Sequence, residues 1–191
     1  MTTSRPRAPL VIGWREWIGL PALGISGIKA KIDTGARTTA LHAEGIERRV
    51  HDDGTVWLAF TVPAGPGHDT LRVEAPMIEE REVKNTSGVP LARPVIRTLI
   101  SLDHRRWPIE VTLANRTEMG FDIIVGRTAI RRRDILVHAG RSFLARPPIG
   151  FDPSGPEEDD PPADGEDTAA VDEDDPPVSR AEAPQQEGTA P

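Results

Sequence analysis

The sequence predicts an all-β barrel or sandwich that ends in an acidic tail with no fold of its own. Three observations carry that expectation. Short segments with the two-residue period of half-buried strands recur between residues 10 and 144. Turn signals separate them, and helical periodicity is almost absent. Residues 151–191 then change character. They hold eight prolines, 14 of the 30 acids and only Arg180 among the 23 bases. Such a segment buries too little apolar surface to offset its ordering entropy. The expected organisation is a flexible arm over 1–9, one domain over 10–146 and a disordered tail over 147–191.

Leu10 to Gly13 is a short apolar strand. Trp14 to Leu20 is a second, closed by Pro21, with Trp14 and Trp17 expected to pack rather than to stack on a ligand. Leu23 to Gly27 reads as a turn. Ile28, Ala30 and Ile32 alternate with Lys29 and Lys31, which marks a strand with one buried face. Thr38 to Leu41 favours a return strand, and Ile46 to Val50 another. Asp53-Gly54 signals a hairpin into Thr55–Val62, where Val56, Leu58, Phe60 and Val62 share a face. Thr70–Glu74 and Met77–Lys84 read as separate strands. Pro94–Leu102 and Arg106–Leu113 form a second hairpin. Phe121–Val125 is a short strand, Arg127–Arg133 provides one or two helical turns, and Ile135–Val137 and Arg141–Leu144 are the last strands.

Composition removes several classes of function. The 191 residues include no cysteine, which excludes disulfides, thiolate catalysis and cysteine zinc sites and permits a reducing compartment. Met1 to Pro9 has two arginines and no apolar run, so no signal peptide is read, no segment spans a membrane, and the expected location is the cytoplasm. The net charge of −7 hides a segregation: residues 1–150 hold 16 acids against 22 bases. A basic body joined to an acidic tail points to an anionic partner or to self-interaction. Its arginines lack the interleaved aromatics of a single-strand binding platform, so no nucleic-acid partner is expected.

The chemistry concentrates at Asp33-Thr34-Gly35-Ala36. A carboxylate ends a clean strand and is followed by a hydroxyl, a residue free to take positive φ, and a small side chain. The glycine lets the backbone turn back, and its N–H can point at the carboxylate. All three residue types are also ordinary turn formers. A second apolar strand ending in glycine, Phe121 to Gly126 before Arg127, is the feature that lifts the first above a surface turn.

These two stretches resemble the aspartic proteases of the retroviral type. The likeness extends to Val11–Trp17, Lys29–Thr38, Leu41–Ala43, Arg93–Thr98, Trp107–Leu113, Met119–Phe121 and Val125–Ala129. Together they resemble a bacterial family once called "ATP-dependent zinc proteases", now regarded as retropepsin-like, with members called RimB, and associated with the RimK ligase that adds glutamates to a ribosomal protein. The older label conflicts with the residues. There is no His-Glu-x-x-His, no cysteine and no phosphate-binding glycine loop. A zinc site built from His42, His104 and a carboxylate is the weaker alternative, so neither metal nor cofactor is expected.

The resemblance implies a closed acid-protease barrel and a peptidase with Asp33, Thr34 and Gly35 as catalytic residues. Hydrolysis by carboxylates needs two that share a proton. The chain has a single Asp-Thr/Ser-Gly, so the expected solution is a homodimer that brings two copies of Asp33 together. Ala36 and Gly126 are expected against the substrate. Arg37, Arg97 and Arg127 suit bidentate recognition of carboxylates, and each equally fits a structural ion pair. The implied substrate is an acidic peptide or glutamylated tail, the implied partner a RimK-type ligase, and the implied flap lies at Asn85–Arg93 or, second, His51–Thr55. A non-catalytic binding module for such a ligase or a ribosomal protein is the competing expectation.

Overall fold

The computed structural model describes residues 8–66, 70–84 and 90–154. They fall in one unit, Met1–Asp159; a second, Asp160–Pro191, lies outside the described residues, as do residues 155–159 of the tail expected from 147 and the tip of the first flap candidate. The elements are β1 (Leu10–Gly13), β2 (Arg15–Leu20), β3 (Ile25–Asp33), β4 (Thr39–His42), β5 (Glu44–Val50), β6 (Val56–Pro63), β7 (Thr70–Lys84), β8 (Pro90–Leu102), β9 (Arg105–Ala114), β10 (Ile123–Gly126), α1 (Arg127–Ile130) and β11 (Ile135–His138). The fold is all-β with one short helix, as the sequence predicts. No helix among the described residues is long and apolar enough to cross a membrane.

The main sheet runs β2-β3-β10-β4-β9-β8-β7-β6-β5, and a pairing of Gly19 on β2 with Ser101 on β8 closes its first six strands into a barrel. Strand β10 inserts between β3 and β4, parallel to the first and antiparallel to the second. Strands β1 and β11 pair in parallel as a separate ribbon. The alternation read in β3 holds: Ile28, Ala30 and Ile32 are buried while Lys31 is exposed. They pack with Ile18, Leu41, Val111, Leu113, Ile123 and Val125 inside the barrel. Each large aliphatic side chain buried this way contributes about 1.5–3 kcal/mol.

Four expectations change. Strand β3 starts at Ile25, inside the stretch read as a turn, because Ile25 is buried and pairs with Leu20. Strand β7 is continuous through Pro76. The proline sits where β7 hands over from β6 (Trp57↔Pro76) to β8 (Met77↔Ile96), beside an irregularity in register, so its missing N–H falls where the ladder changes partner. Arg141–Leu144 is irregular rather than a strand, since Phe143 has φ 53° and cannot continue a ladder. The packed chain also runs past residue 146. Phe151 lies against Trp17, with ring centroids 5.0 Å apart, and its ring covers Gly27 so closely that a Cβ there would be 2.1 Å away.

Glu16 explains how the irregular segment is held. It is fully buried. Oε1 accepts the N–H groups of Gly13 (2.6 Å), Leu144 (2.8 Å) and Ala145 (3.2 Å), and Oε2 also accepts from Ala145 (3.3 Å). One carboxylate therefore ties β1, β2 and the segment after β11 together.

Candidate active site

Asp33 is the last residue of β3 and is half-buried. Its Oδ1 accepts the N–H of Ala36 at 2.9 Å. The donor is one residue later than the glycine amide expected from the sequence. Gly35 is not among the residues with positive φ either. What restricts that position is proximity: a Cβ on Gly35 would stand 3.3 Å from Asp33 Oδ1. Thr34 and Gly35 are exposed at the tip of the loop.

The register places Gly126, at the end of β10, directly beside Asp33. A Cβ on Gly126 would lie 2.4 Å from the carbonyl carbon of Thr38, so only glycine permits the two loops to come this close. Its N–H donates to the buried Thr39 Oγ1 at 3.2 Å. Arg127 N–H donates to Ala36 O (2.9 Å), and Thr128 donates to Arg37 O through both its N–H (3.2 Å) and its hydroxyl (2.8 Å). The Arg127 guanidinium donates to Gly35 O at 2.9 Å. The Asp33 loop is thus laced to the start of α1, and Arg127 braces it.

The remaining candidates are distributed unevenly. Asp33, Thr34, Gly35, Ala36, Gly126 and Arg127 form one cluster, with Arg37 exposed at its edge. Arg97 lies on β8 opposite Glu110 of β9, 3.8 Å from that carboxylate. His42 and His104 belong to separate networks. His42 Nδ1 accepts the N–H of Arg116 (2.9 Å), and His104 stands by Asp103 and Arg146. Among the described residues, no three His, Asp or Glu side chains are placed to hold a metal ion.

Sequence reasoning missed Arg116. It is 7% exposed and its Nε donates to Phe121 O at 3.1 Å. Burial, and then the guanidinium of Arg93, hold its pKa below the usual arginine value, while the carboxylates of Asp122 and Asp33 pull the other way. A buried cation therefore lies within the field of Asp33. Nothing in the run Asn115-Arg116-Thr117 marks it, because its burial depends on β4 and on the loop before β10.

Comparison with known proteins joins these features to a family. The family described as "RimB-like: Retropepsin-like aspartic endopeptidase RimB" matches residues 11–148, which include both loops of the site. The chain belongs to this family. Proteins named "Probable alpha-L-glutamate ligase" from Desulfotalea psychrophila and Parasynechococcus marenigrum are each 42% identical to it, over 135 and 137 residues, or 70% and 71% of the chain. The chain spans 29% of the length of those relatives. A crystal structure of a Legionella pneumophila protein of unknown function aligns with a TM-score of 0.62 at 26% identity, covering 72% of this chain and 98% of that one. The family match thus spans the barrel and both loops.

Proposed function

We propose that the chain is an aspartic peptidase that hydrolyses glutamate-rich peptides with a dyad made of Asp33 from two copies. One observation supports this above the others. A half-buried carboxylate at a strand end is oriented by the amide of its own loop and backed by a second loop through Gly126 and Arg127. In the dyad the ionised carboxylate takes a proton from water as the water oxygen attacks the peptide carbonyl carbon. The protonated carboxylate donates to the carbonyl oxygen. The tetrahedral diol then collapses, the C–N bond breaks, and the amine leaves with a proton returned by the dyad. Exposed Thr34 is positioned to brace a second copy of its own loop.

The cations at this end of the barrel support an acidic substrate. Arg37 is exposed beside the loop, and Arg116 and Arg93 lie near enough to influence one another's charge. Strands β7 and β8 are the stems of the hairpin assigned here as the flap. A cytoplasmic setting and a RimK-type ligase partner complete the reading, in line with the ligase named for the relatives.

The experiment is hydrolysis of a labelled glutamate-rich peptide by the chain and by Asp33→Asn, with sedimentation velocity alongside. Asp33→Asn is expected to lower the rate by about three orders of magnitude or more. Excess Asp33→Asn mixed with the unsubstituted chain is expected to poison it through mixed dimers. Hydrolysis by a strict monomer would remove the shared dyad. A second reading draws on the ligase names: a binding module that accompanies a ligase. Tight peptide binding with no cleavage by the unsubstituted dimer would favour it.

A further inference from the structure

Five arginines on β5 to β8 are paired with carboxylates. Arg48 meets Glu80, Arg49 meets Glu74, Arg72 meets Glu47, Arg81 meets Glu79 and Glu110, and Arg97 meets Glu110. Four others are treated differently. Arg105 and Arg106 open β9, and Arg132 and Arg133 follow α1. Together with Trp107 and Asp134 they line a hollow of about 330 Å³. Among the described residues, none of these four makes an ion pair.

The hollow is held in shape. Arg105 Nη1 donates to Arg133 O at 2.8 Å, fastening the turn after α1 to the start of β9. Its Nε is buried and has no partner among the described residues. Such a donor is costly to leave unpaired, and a carboxylate is the acceptor a guanidinium takes best. Arg132 and Asp134, on either side of Arg133, hold φ of 70° and 51°, a backbone that L residues keep only when their surroundings impose it. The Arg133 guanidinium stands 5.4 Å over the Trp107 ring, and Trp107 donates its Nε1 to Ala129 O at 2.8 Å.

We propose that this hollow is a second binding site, for a carboxylate-rich polypeptide. Unneutralised guanidiniums concentrate polyanions and pair with carboxylates in a forked geometry. Nucleic acid is disfavoured because the one aromatic ring, Trp107, is only 4% exposed and already covered by Arg133, so no face is open for a base to stack. Placement adds a consequence. The four-residue helix α1 begins at Arg127, which braces the Asp33 loop, and the hollow begins where α1 ends. That helix is only about 6 Å long, so one extended acidic chain can reach both places. A long acidic peptide therefore gains affinity over a short one by holding two sites at once. This length preference rests on the proposed activity, whereas binding at the hollow does not.

The test uses the full chain carrying Asp33→Asn, so that the probe is not consumed, and a fluorescent glutamate decamer read by anisotropy at several salt concentrations. Arg106 and Arg132 are exposed and their side chains make no hydrogen bond or ion pair among the described residues, which makes them suitable for substitution without loss of fold. Adding Arg106→Glu and Arg132→Glu is expected to weaken binding by about tenfold or more and to flatten its salt dependence. The milder Arg106→Gln with Arg132→Gln is expected to give an intermediate loss. Reversing Arg48 and Arg72 instead is expected to change affinity by less than about threefold. The proposal is overturned if the decamer does not bind, if either pair at the hollow leaves affinity unchanged, if the Arg48 and Arg72 reversal matches the hollow pair, or if an oligouridylate of equal charge binds more tightly than the decamer. Absence of hydrolysis by the unsubstituted chain would sink the peptidase reading and leave this measurement intact.

Discussion

At the Asp33 end of the barrel one carboxylate is held by the amide of Ala36, and its loop is laced to the start of α1 by main-chain groups. On the outer face of β5, β6 and β7, by contrast, charges are held by other charges, Arg49 by Glu74 and Arg72 by Glu47. Strand β5 is exposed along its whole length, so these pairs stand in water. Exposed pairs gain little, because solvent screens them and two long side chains lose freedom. The buried bond behind that loop, Gly126 N–H to Thr39 Oγ1, loses much more when its acceptor goes, since the orphaned amide is out of reach of water. Density of charge is therefore a poor guide to what holds the molecule together.

Substitutions can break that contrast. Gly126→Ala is the most damaging, because its Cβ would collide with the Thr38 backbone and neither loop can withdraw without unlacing the site. The expected loss is above about 4 kcal/mol, or failure to fold, read by urea denaturation. A stable Gly126→Ala chain would show that the two loops do not pack as described. Glu16→Leu comes next: it leaves the amides of Gly13, Leu144 and Ala145 unpaired in the interior. About 3 kcal/mol is expected, with a lower midpoint and an unchanged urea slope. Thr39→Val keeps the shape and removes the acceptor for Gly126 N–H, at roughly 1–2 kcal/mol. Arg49→Ala, on the charged face, should fall within about 0.5 kcal/mol in the same assay. A loss at Arg49 as large as that at Thr39 would erase the distinction between the two regions.

The strands were legible where one physical signal dominated. In β3 alternation from Ile28 to Ile32 reports the buried face, in β6 it finds Leu58, Phe60 and Val62 but not the buried Ala59, and Asp53-Gly54 marks the turn before β6. Expectations failed where tertiary structure overruled the local pattern. Thr70–Glu74 and Met77–Lys84 read as two strands, whereas Pro76 between them is the handover point of one continuous β7. Arg141–Leu144 has strand-like residues but is shaped by the buried carboxylate of Glu16, which in sequence is one more acid between two tryptophans. The site was half visible. Asp33 and Gly126 were brought together by the family resemblance rather than by pattern alone, while Arg116 could not be found, because its burial is produced by segments distant in the chain.

The insertion of β10 between β3 and β4 has a consequence for biosynthesis. Asp33 is matched with Gly126, so the loop that orients the acid is finished only after some ninety further residues have been made. Until then β3 and β4 emerge with unfilled edges, the kind of surface that invites wrong pairing, and such distant contacts form slowly. The nascent polypeptide therefore carries the acid without its β10 neighbour while β4 to β9 are made. The gap closes only when Val125 and Gly126 pair with Ile32 and Asp33.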